Sequence, residues 1–432
     1  MIVLLAVVGL AIDAGFAYLV KARLNAAVDS AALAGARAVT TGNNQAEQIA
    51  SARTAAQDFF NANIANGYMG SSPRILNTNV AFQGGRAIID VTAEAPLPVS
   101  IMQVVGFQSL APVAAAQTIR NDLDMAFVID TSGSLKTQGA SVKSSAKTFL
   151  NKFNVTQDRV AMIRFASGSV TDYAIATSGR GFNRTGMLSK IDSIVFDGGT
   201  ASAEGMYRAR EQLNNVPLAN RSAARVIVFF SDGDPTSFGT TVEFVNAARC
   251  LGVTGVIDRA WSEQAGLSNP NDTSISLIRS DCQAIPNDGA SVSAVRRLPA
   301  VYNPRNSANK DDQFPIITTG PREVKADVYA KADYTRNIGR AARNLAEGVA
   351  EQAREDGMFV FTLGLGSQLK TPTQPDNEVG ENILKCMANT PDALERCRKP
   401  NQPVGMYCYA ATEADLTPCF SRLASAILRL TK

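Results

Sequence analysis

The sequence predicts an α/β fold: a doubly wound, mostly parallel sheet, preceded by a long N-terminal helix and a small α+β spacer domain. Three observations carry this expectation. Residues 123–130 (LDMAFVID) and 225–230 (RVIVFF) are continuous apolar runs, as strands buried on both faces of a parallel sheet are. Amphipathic helical stretches alternate with them, the first marked by Val142, Ala146, Phe149, Leu150 and Phe153 on one stripe. Residues 1–20 form an apolar run that continues into an alanine-rich segment. The expected domains are residues 1–40, 41–120 and 121–432, with an insertion at about 251–330; a length of 432 residues suits two or three domains.

Composition narrows the function. The chain has no histidine, which removes Ser-His-Asp and Cys-His catalysis, His-bearing zinc sites and histidine pH switches. A net charge of +3 and the absence of a long basic run give no argument for nucleic acid. Catalysis by carboxylates, lysine or a bare metal remains open on composition, but the weight shifts towards a protein that binds rather than an enzyme.

Residues 1–20 are long enough to cross a bilayer. Asp13 interrupts them, and a carboxylate at that depth must be paired, protonated or buried against protein. Beyond Lys21 the helix continues through Ala26, Ala27, Ala31, Ala32, Ala34, Gly35 and Ala36, where small residues favour helix and close helix approach. One helix over about 2–39 is expected, half in a membrane and half emergent. A cleaved signal peptide is the plainer alternative, but the helical pattern runs far past any cleavage point. Lys21 and Arg23 would leave the following chain in the cytoplasm, whereas the cysteines suit an oxidising compartment; basic residues ahead of Met1 would reconcile the two. The segment Asp13-Ala14-Gly15, Tyr18, Arg23-Leu24-Asn25-Ala26-Ala27 and Asp29 to Ala36 resembles the N-terminal helix of the TadE/TadG-like proteins of the Tad (Flp) pilus assembly system.

A second helix is expected over 43–66, on the spacing of Ile49, Ala52, Ala56, Phe59, Phe60 and Ile64. Val80–Phe82 and Ala87–Val91 flank a glycine-containing turn and read as a hairpin. Pro96, Pro98 and Pro112 punctuate the rest of the spacer, which offers no chemistry.

The candidate site lies at strand ends. Asp130-Thr131-Ser132-Gly133-Ser134 follows the first apolar strand, and Ser231-Asp232-Gly233-Asp234 follows the second. Asp197-Gly198-Gly199-Thr200 falls between, before an amphipathic stretch at 203–213. Ligand sites of open parallel sheets lie beyond the C-terminal strand ends, and an all-oxygen set of carboxylates and hydroxyls suits Mg²⁺, Ca²⁺ or Mn²⁺. Helix capping by Asp130 and the serines is the structural alternative, and the two can coexist. The three parts, in this order, match the metal-ion-dependent adhesion site of von Willebrand factor A domains, a Rossmann-like family. The resemblance implies that Ser132 and Ser134 bind the metal directly. Asp130 and Asp232 would act partly through water, and Thr200 would join in a ligand-engaged state. One position would remain for an acidic group of a partner. Asp234 reads as a turn residue before Pro235, with a place behind the metal ligands as the alternative.

Val160–Phe165 reads as a strand with Asp172–Ala176 as its hairpin partner, and Val242–Cys250 as a short helix. The polar insertion 251–330 has no clear periodicity and reads as a disulfide-stapled excursion, either a binding surface or decoration. A helix at 334–356, a strand at 358–365 and a closing helix at 416–430 follow. The six cysteines suit three disulfides; Cys250 with Cys282, and Cys386, Cys397, Cys408 and Cys419 among themselves, is the expected grouping.

Together these readings imply an adhesion or assembly component of a Tad pilus system, in the bacterial envelope or at the cell surface. It would bind a protein ligand or pilus components through its metal, join a membrane through its helix, and assemble with TadE-like or pilin subunits. The alternatives are a pilus tip or initiating subunit, and a partner subunit of an ATPase.

Overall fold

The computed structural model describes residues 2–39, 41, 45–83, 86–99, 101–244, 253–259, 267–274, 295–305 and 314–430. The chain folds as two units, one of residues 1–122, 152–158 and 430–432, the other of residues 123–151 and 159–429.

In the first unit, α1 (Ile2–Ala38) and α2 (Gln45–Asn63) precede β1 (Arg74–Gln83) and β2 (Arg86–Glu94). The two-residue strands β3 (Leu97–Pro98) and β4 (Ser109–Leu110) pair with each other, and β5 (Val113–Asn121) completes an antiparallel sheet of order β1-β2-β5. Val20, Leu24, Val28, Ala31 and Ala32 of α1 share one core with Ala52, Ala56 and Phe60 of α2 and Ile89 and Val91 of β2. The small residues make this close packing possible: a Cβ on Gly35 would lie 3.1 Å from Ile89 Cγ2 and 3.3 Å from the Ala52 carbonyl. The hairpin read from the sequence is present and longer than expected, with Gln83 opposite Arg86.

Among the described residues no helix is long and apolar enough to cross a membrane, so the structure gives the span expected over residues 1–20 no support. Asp13 lies within that run. It is only 2 % exposed, and its carboxylate accepts the backbone N–H groups of Ile101 (3.0 Å) and Met102 (2.9 Å), so this part of α1 is committed to protein. Val7, Val8, Leu10, Ile12, Phe16 and Leu19 are nevertheless exposed.

The second unit is built on a six-stranded sheet of order β15-β14-β9-β6-β7-β8. The central strands are β6 (Leu123–Asp130), β7 (Arg159–Phe165) and β9 (Ala224–Ser231), joined by α3 (Gly139–Leu150), α4 (Arg184–Asp192) and α5 (Ser202–Asn214). All pairs are parallel except β7 with β8 (Ser169–Tyr173). The sheet is buried on both sides, and its side chains alternate between two layers. Val128, Ile163, Phe165 and Phe229 pack towards α5 and α6 (Lys331–Glu355). Phe127 meets Phe149 of α3 and Phe420 of α8 (Leu416–Leu430), and Phe230 meets Phe420, with ring centroids 5.0 to 6.0 Å apart. At the N-terminal strand ends, Asp124 and Arg159 form a buried bidentate pair (2.8 and 2.9 Å).

Several expectations shift. The hairpin partner of β7 begins at Ser169, three residues before the expected Asp172. Where a helix was expected at Val242–Cys250, Glu243–Phe244 form the short strand β11, paired with β13 (Val295–Arg297); residues 245–250 lie outside the described set, as do Cys250 and Cys282. Parts of the insertion are ordered onto the core. The strands β10 (Ser237–Thr241) and β12 (Thr254–Asp258) form an antiparallel pair. Glu204 of α5, fully buried, accepts from Gly239 N, the Tyr302 hydroxyl and Arg305 Nη2. The sequence reading had no place for α7 (Gly380–Ala388) or for the edge strand β15 (Met406–Ala410), which follow β14 (Phe359–Leu365). Disulfides link Cys386 to Cys397 and Cys408 to Cys419, so the four C-terminal cysteines pair among themselves.

Candidate metal centre

The strand register sets the site. Asp130 ends β6 opposite Phe165 of β7, and Ile129 lies opposite Phe230 of β9, so Asp130 and Ser231 are neighbours where the sheet gives way to loops. The Ser231 hydroxyl donates to Asp130 Oδ2 at 2.6 Å, and the backbone N–H of Ser132 donates to Oδ1 at 2.8 Å. Both oxygens of Asp130 thus anchor the two loops. Asp232 Oδ1 accepts from the Ser134 hydroxyl at 3.0 Å and from that of Ser132 at 3.5 Å, and the two hydroxyls are 3.1 Å apart. Four of the five expected residues therefore form one hydrogen-bonded group.

Thr200 stands beside this group rather than in it. Its hydroxyl lies against Gly233, where a Cβ would be 3.6 Å away, and it lines the same cavity as Ser134 and Asp232. Its loop is fixed at Gly198, whose φ of +89° and crowding by the Ser167 hydroxyl leave no room for a side chain. Thr236 holds Thr200 from the other side: the Thr200 N–H donates to the Thr236 hydroxyl (3.1 Å), and the Thr236 N–H donates to the Thr200 carbonyl (3.0 Å). The Thr236 hydroxyl donates in turn to Asp258 at 2.9 Å.

Asp234, expected to be a turn residue, is instead an ion-pair hub. The fully buried Arg343 of α6 grips both of its oxygens, Nε to Oδ1 at 2.9 Å and Nη2 to Oδ2 at 2.6 Å. Arg259 and Thr373 also donate to Oδ2. Ser231, Thr236, Arg259 and Arg343 were not singled out from sequence. Ser231 could have been, since it adjoins Asp232, whereas the Arg343 pairing spans 109 residues and no local pattern announces it.

The electrostatics favour a cation. Burial, and then the charge of Asp232, push the Asp130 carboxyl up to about 7, against the hydrogen bonds from Ser231 and Ser132. Burial raises Asp232 to about 6. Neither carboxylate has an ion-pair partner among the described residues. No group of three or more His, Cys, Asp or Glu gathers as a metal site among them. The set is two carboxylates with hydroxyls, and such oxygen donors fit a hard divalent ion.

A pH dependence follows for the metal-free protein. Both carboxyls titrate higher in the folded than in the unfolded chain, so their contribution is full below about pH 4 and is lost as pH rises through 6 to 7. In chelator, Tm is expected to fall between pH 5 and 7, and Asp130→Asn is expected to flatten that fall. An unchanged slope in the variant would contradict the assignment.

Residues 124–257 match the sequence profile of the von Willebrand factor type A domain. The chain carries a von Willebrand factor A domain. Residues 1–38 match the profile described as Flp pilus-assembly TadE/G-like. No curated protein matches the chain. Similar solved structures include the pilus adhesin SpaC from Lactobacillus rhamnosus GG, at 14 % identity and a TM-score of 0.41, over 83 % of this chain and 35 % of that one. The vWF domain of the type V pili tip protein Mfa5 from Porphyromonas gingivalis is 15 % identical with a TM-score of 0.39, over 73 % of this chain and 98 % of that one. The PilB minor pilin from Streptococcus sanguinis is 13 % identical with a TM-score of 0.39, over 84 % and 79 %. The chain thus spans about a third of the length of SpaC.

Proposed function

We propose that the A domain holds Mg²⁺, or Ca²⁺ or Mn²⁺ in its place, through Asp130, Ser132, Ser134, Thr200 and Asp232, and that the protein is a metal-dependent binding component of a Tad (Flp) pilus system. The observation that carries this is the pair of buried carboxylates without a counter-charge among the described residues, set among hydroxyls at the C-terminal edge of a parallel sheet. Bound there, the ion supplies a centre whose charge two carboxylates only partly screen, and which attracts an anionic oxygen from outside. Ser132 and Ser134 bind it, Asp130 fixes the loops, and Thr200 completes the site when ligand enters. The work is recognition rather than catalysis: the hydroxyls of Ser132 and Ser134, held against Asp232, serve as ligands for the ion.

The TadE/G-like match over residues 1–38 supports a role in pilus assembly or adhesion, with protein or pilus components as partners. The disulfides Cys386–Cys397 and Cys408–Cys419 agree with an envelope or surface location and weigh against a cytosolic ATPase partner. The exposed apolar residues between Val7 and Leu19 of α1 suit either a membrane or a helical bundle within a fibre. A membrane anchor needs detergent for extraction, whereas a fibre subunit leaves the cell with sheared pili. In cells that make the pilus, Asp130→Ala is expected to abolish piliation or attachment while the chain accumulates normally. Unaltered piliation and attachment would count against the role.

A further inference from the structure

The metal residues do not lie on a flat face. Ser134, Thr200 and Asp232 line a cavity of about 640 Å³ together with Arg259 and Thr373, a volume that admits more than a single carboxylate. Arg259 follows directly on β12, and its stem packs on α6, where a Cβ at Gly339 would lie 3.3 Å from Arg259 Cδ. Among the described residues only Nη1 of its guanidinium is engaged, donating to Asp234 Oδ2 at 2.8 Å and to the Gln374 carbonyl at 2.7 Å. Among the described residues Nε and Nη2 have no acceptor. Those two nitrogens form the edge of the guanidinium fork that meets a carboxylate with two parallel hydrogen bonds. Asp234 already has its counter-charge in Arg343, which is buried and bidentate. The charge of Arg259 is thus surplus to the ion pair it touches, and it lines the same cavity as the metal residues.

We propose that this cavity takes an acidic protein ligand that presents two neighbouring carboxylates, one to the metal and the other to the Nε/Nη2 edge of Arg259. The inference rests on the metal reading above. The metal supplies affinity for any acidic group; Arg259 selects ligands that carry a second one.

The test uses the full chain in Mg²⁺ and three labelled peptides read by fluorescence anisotropy. One has an internal Asp-Asp pair and blocked ends, one has Asp-Asn in its place, and one is blocked at its N-terminus and ends in a single Asp with a free α-carboxylate. The Asp-Asp peptide is expected to bind about tenfold tighter than the Asp-Asn peptide, as one charge-assisted contact implies. Arg259→Ala brings that ratio to about one, and Arg259→Lys restores it only in part because the fork is lost. If the Asp-terminated peptide gains the same advantage, a chain end serves as well as an internal pair, and the two-carboxylate rule is upheld. A ratio near one in the native protein, a tenfold ratio that survives Arg259→Ala, or binding of none of the peptides would overturn the inference. Chelator separates the two readings: a ratio that depends on Arg259 but ignores chelation would overturn the metal assignment, and with it the metal-bound carboxylate, and leave only the contact with Arg259.

Discussion

Replacing Arg159 by methionine is expected to lower the stability of the A domain by about 3 to 5 kcal/mol. Arg159 and Asp124 are essentially excluded from solvent at the N-terminal ends of β7 and β6. Asp124 accepts Nε and Nη2 of Arg159, and also the backbone N–H and hydroxyl of Ser222, each at 2.9 Å or less. Removing the arginine leaves a carboxylate that water cannot reach, held by a serine alone apart from the more distant Arg180 at 3.5 Å. Denaturant unfolding followed by far-UV circular dichroism measures the loss. The double variant Asp124→Leu/Arg159→Met removes both charges and is expected to recover most of it. A single variant within 1 kcal/mol of the native protein would show that the pair is not buried as described.

The second large effect concerns Arg343. Arg343→Met is expected to cost about 3 kcal/mol, since it strips the bidentate partner from Asp234 within a mostly buried cluster. Arg259 and Thr373 still reach Oδ2, while Oδ1 is left without a donor, which keeps this loss below that at Arg159. Asp234→Asn combined with Arg343→Met removes the charge as well and is expected to be less damaging than Arg343→Met alone. Equal losses in the two variants would mean that packing of the long side chain, rather than the ion pair, is what the site needs.

The parts of the fold that sequence discloses are those in which burial leaves a period. LDMAFVID and RVIVFF announce β6 and β9 because both faces are covered, and the stripe of Ile338, Ala342, Leu345 and Val349 announces α6 because one face is. Elements at the margin leave weaker traces. β15 is five residues long and lies at the edge of the sheet with a mixed burial pattern, and α7 spans only nine residues. β8 carries polar residues through most of its length, so its start was misplaced by three positions. In the candidate site, Asp130, Ser132, Ser134 and Asp232 are legible because the motif and the strand ends coincide, and the structure draws them into one hydrogen-bonded group. Thr200 is marked by its glycines, but what holds it is Thr236, backed by Asp258 from the insertion that looked featureless. Asp13 shows the same limit: sequence requires that its carboxylate be satisfied, and only the fold reveals that the backbone at Ile101 and Met102 does so.

The central claim is that the A domain holds a divalent ion at Asp130. Its most direct test is thermal unfolding of the full chain at pH 7, with chelator or with millimolar Mg²⁺, Ca²⁺ or Mn²⁺, beside Asp130→Ala. An ion present at about 100 times its dissociation constant adds roughly 2.7 kcal/mol to the folded state. The account predicts a metal-dependent rise in Tm that Asp130→Ala abolishes. A native protein that shows no rise and binds no Mn²⁺ in a direct assay, or a rise that Asp130→Ala retains in full, would contradict it.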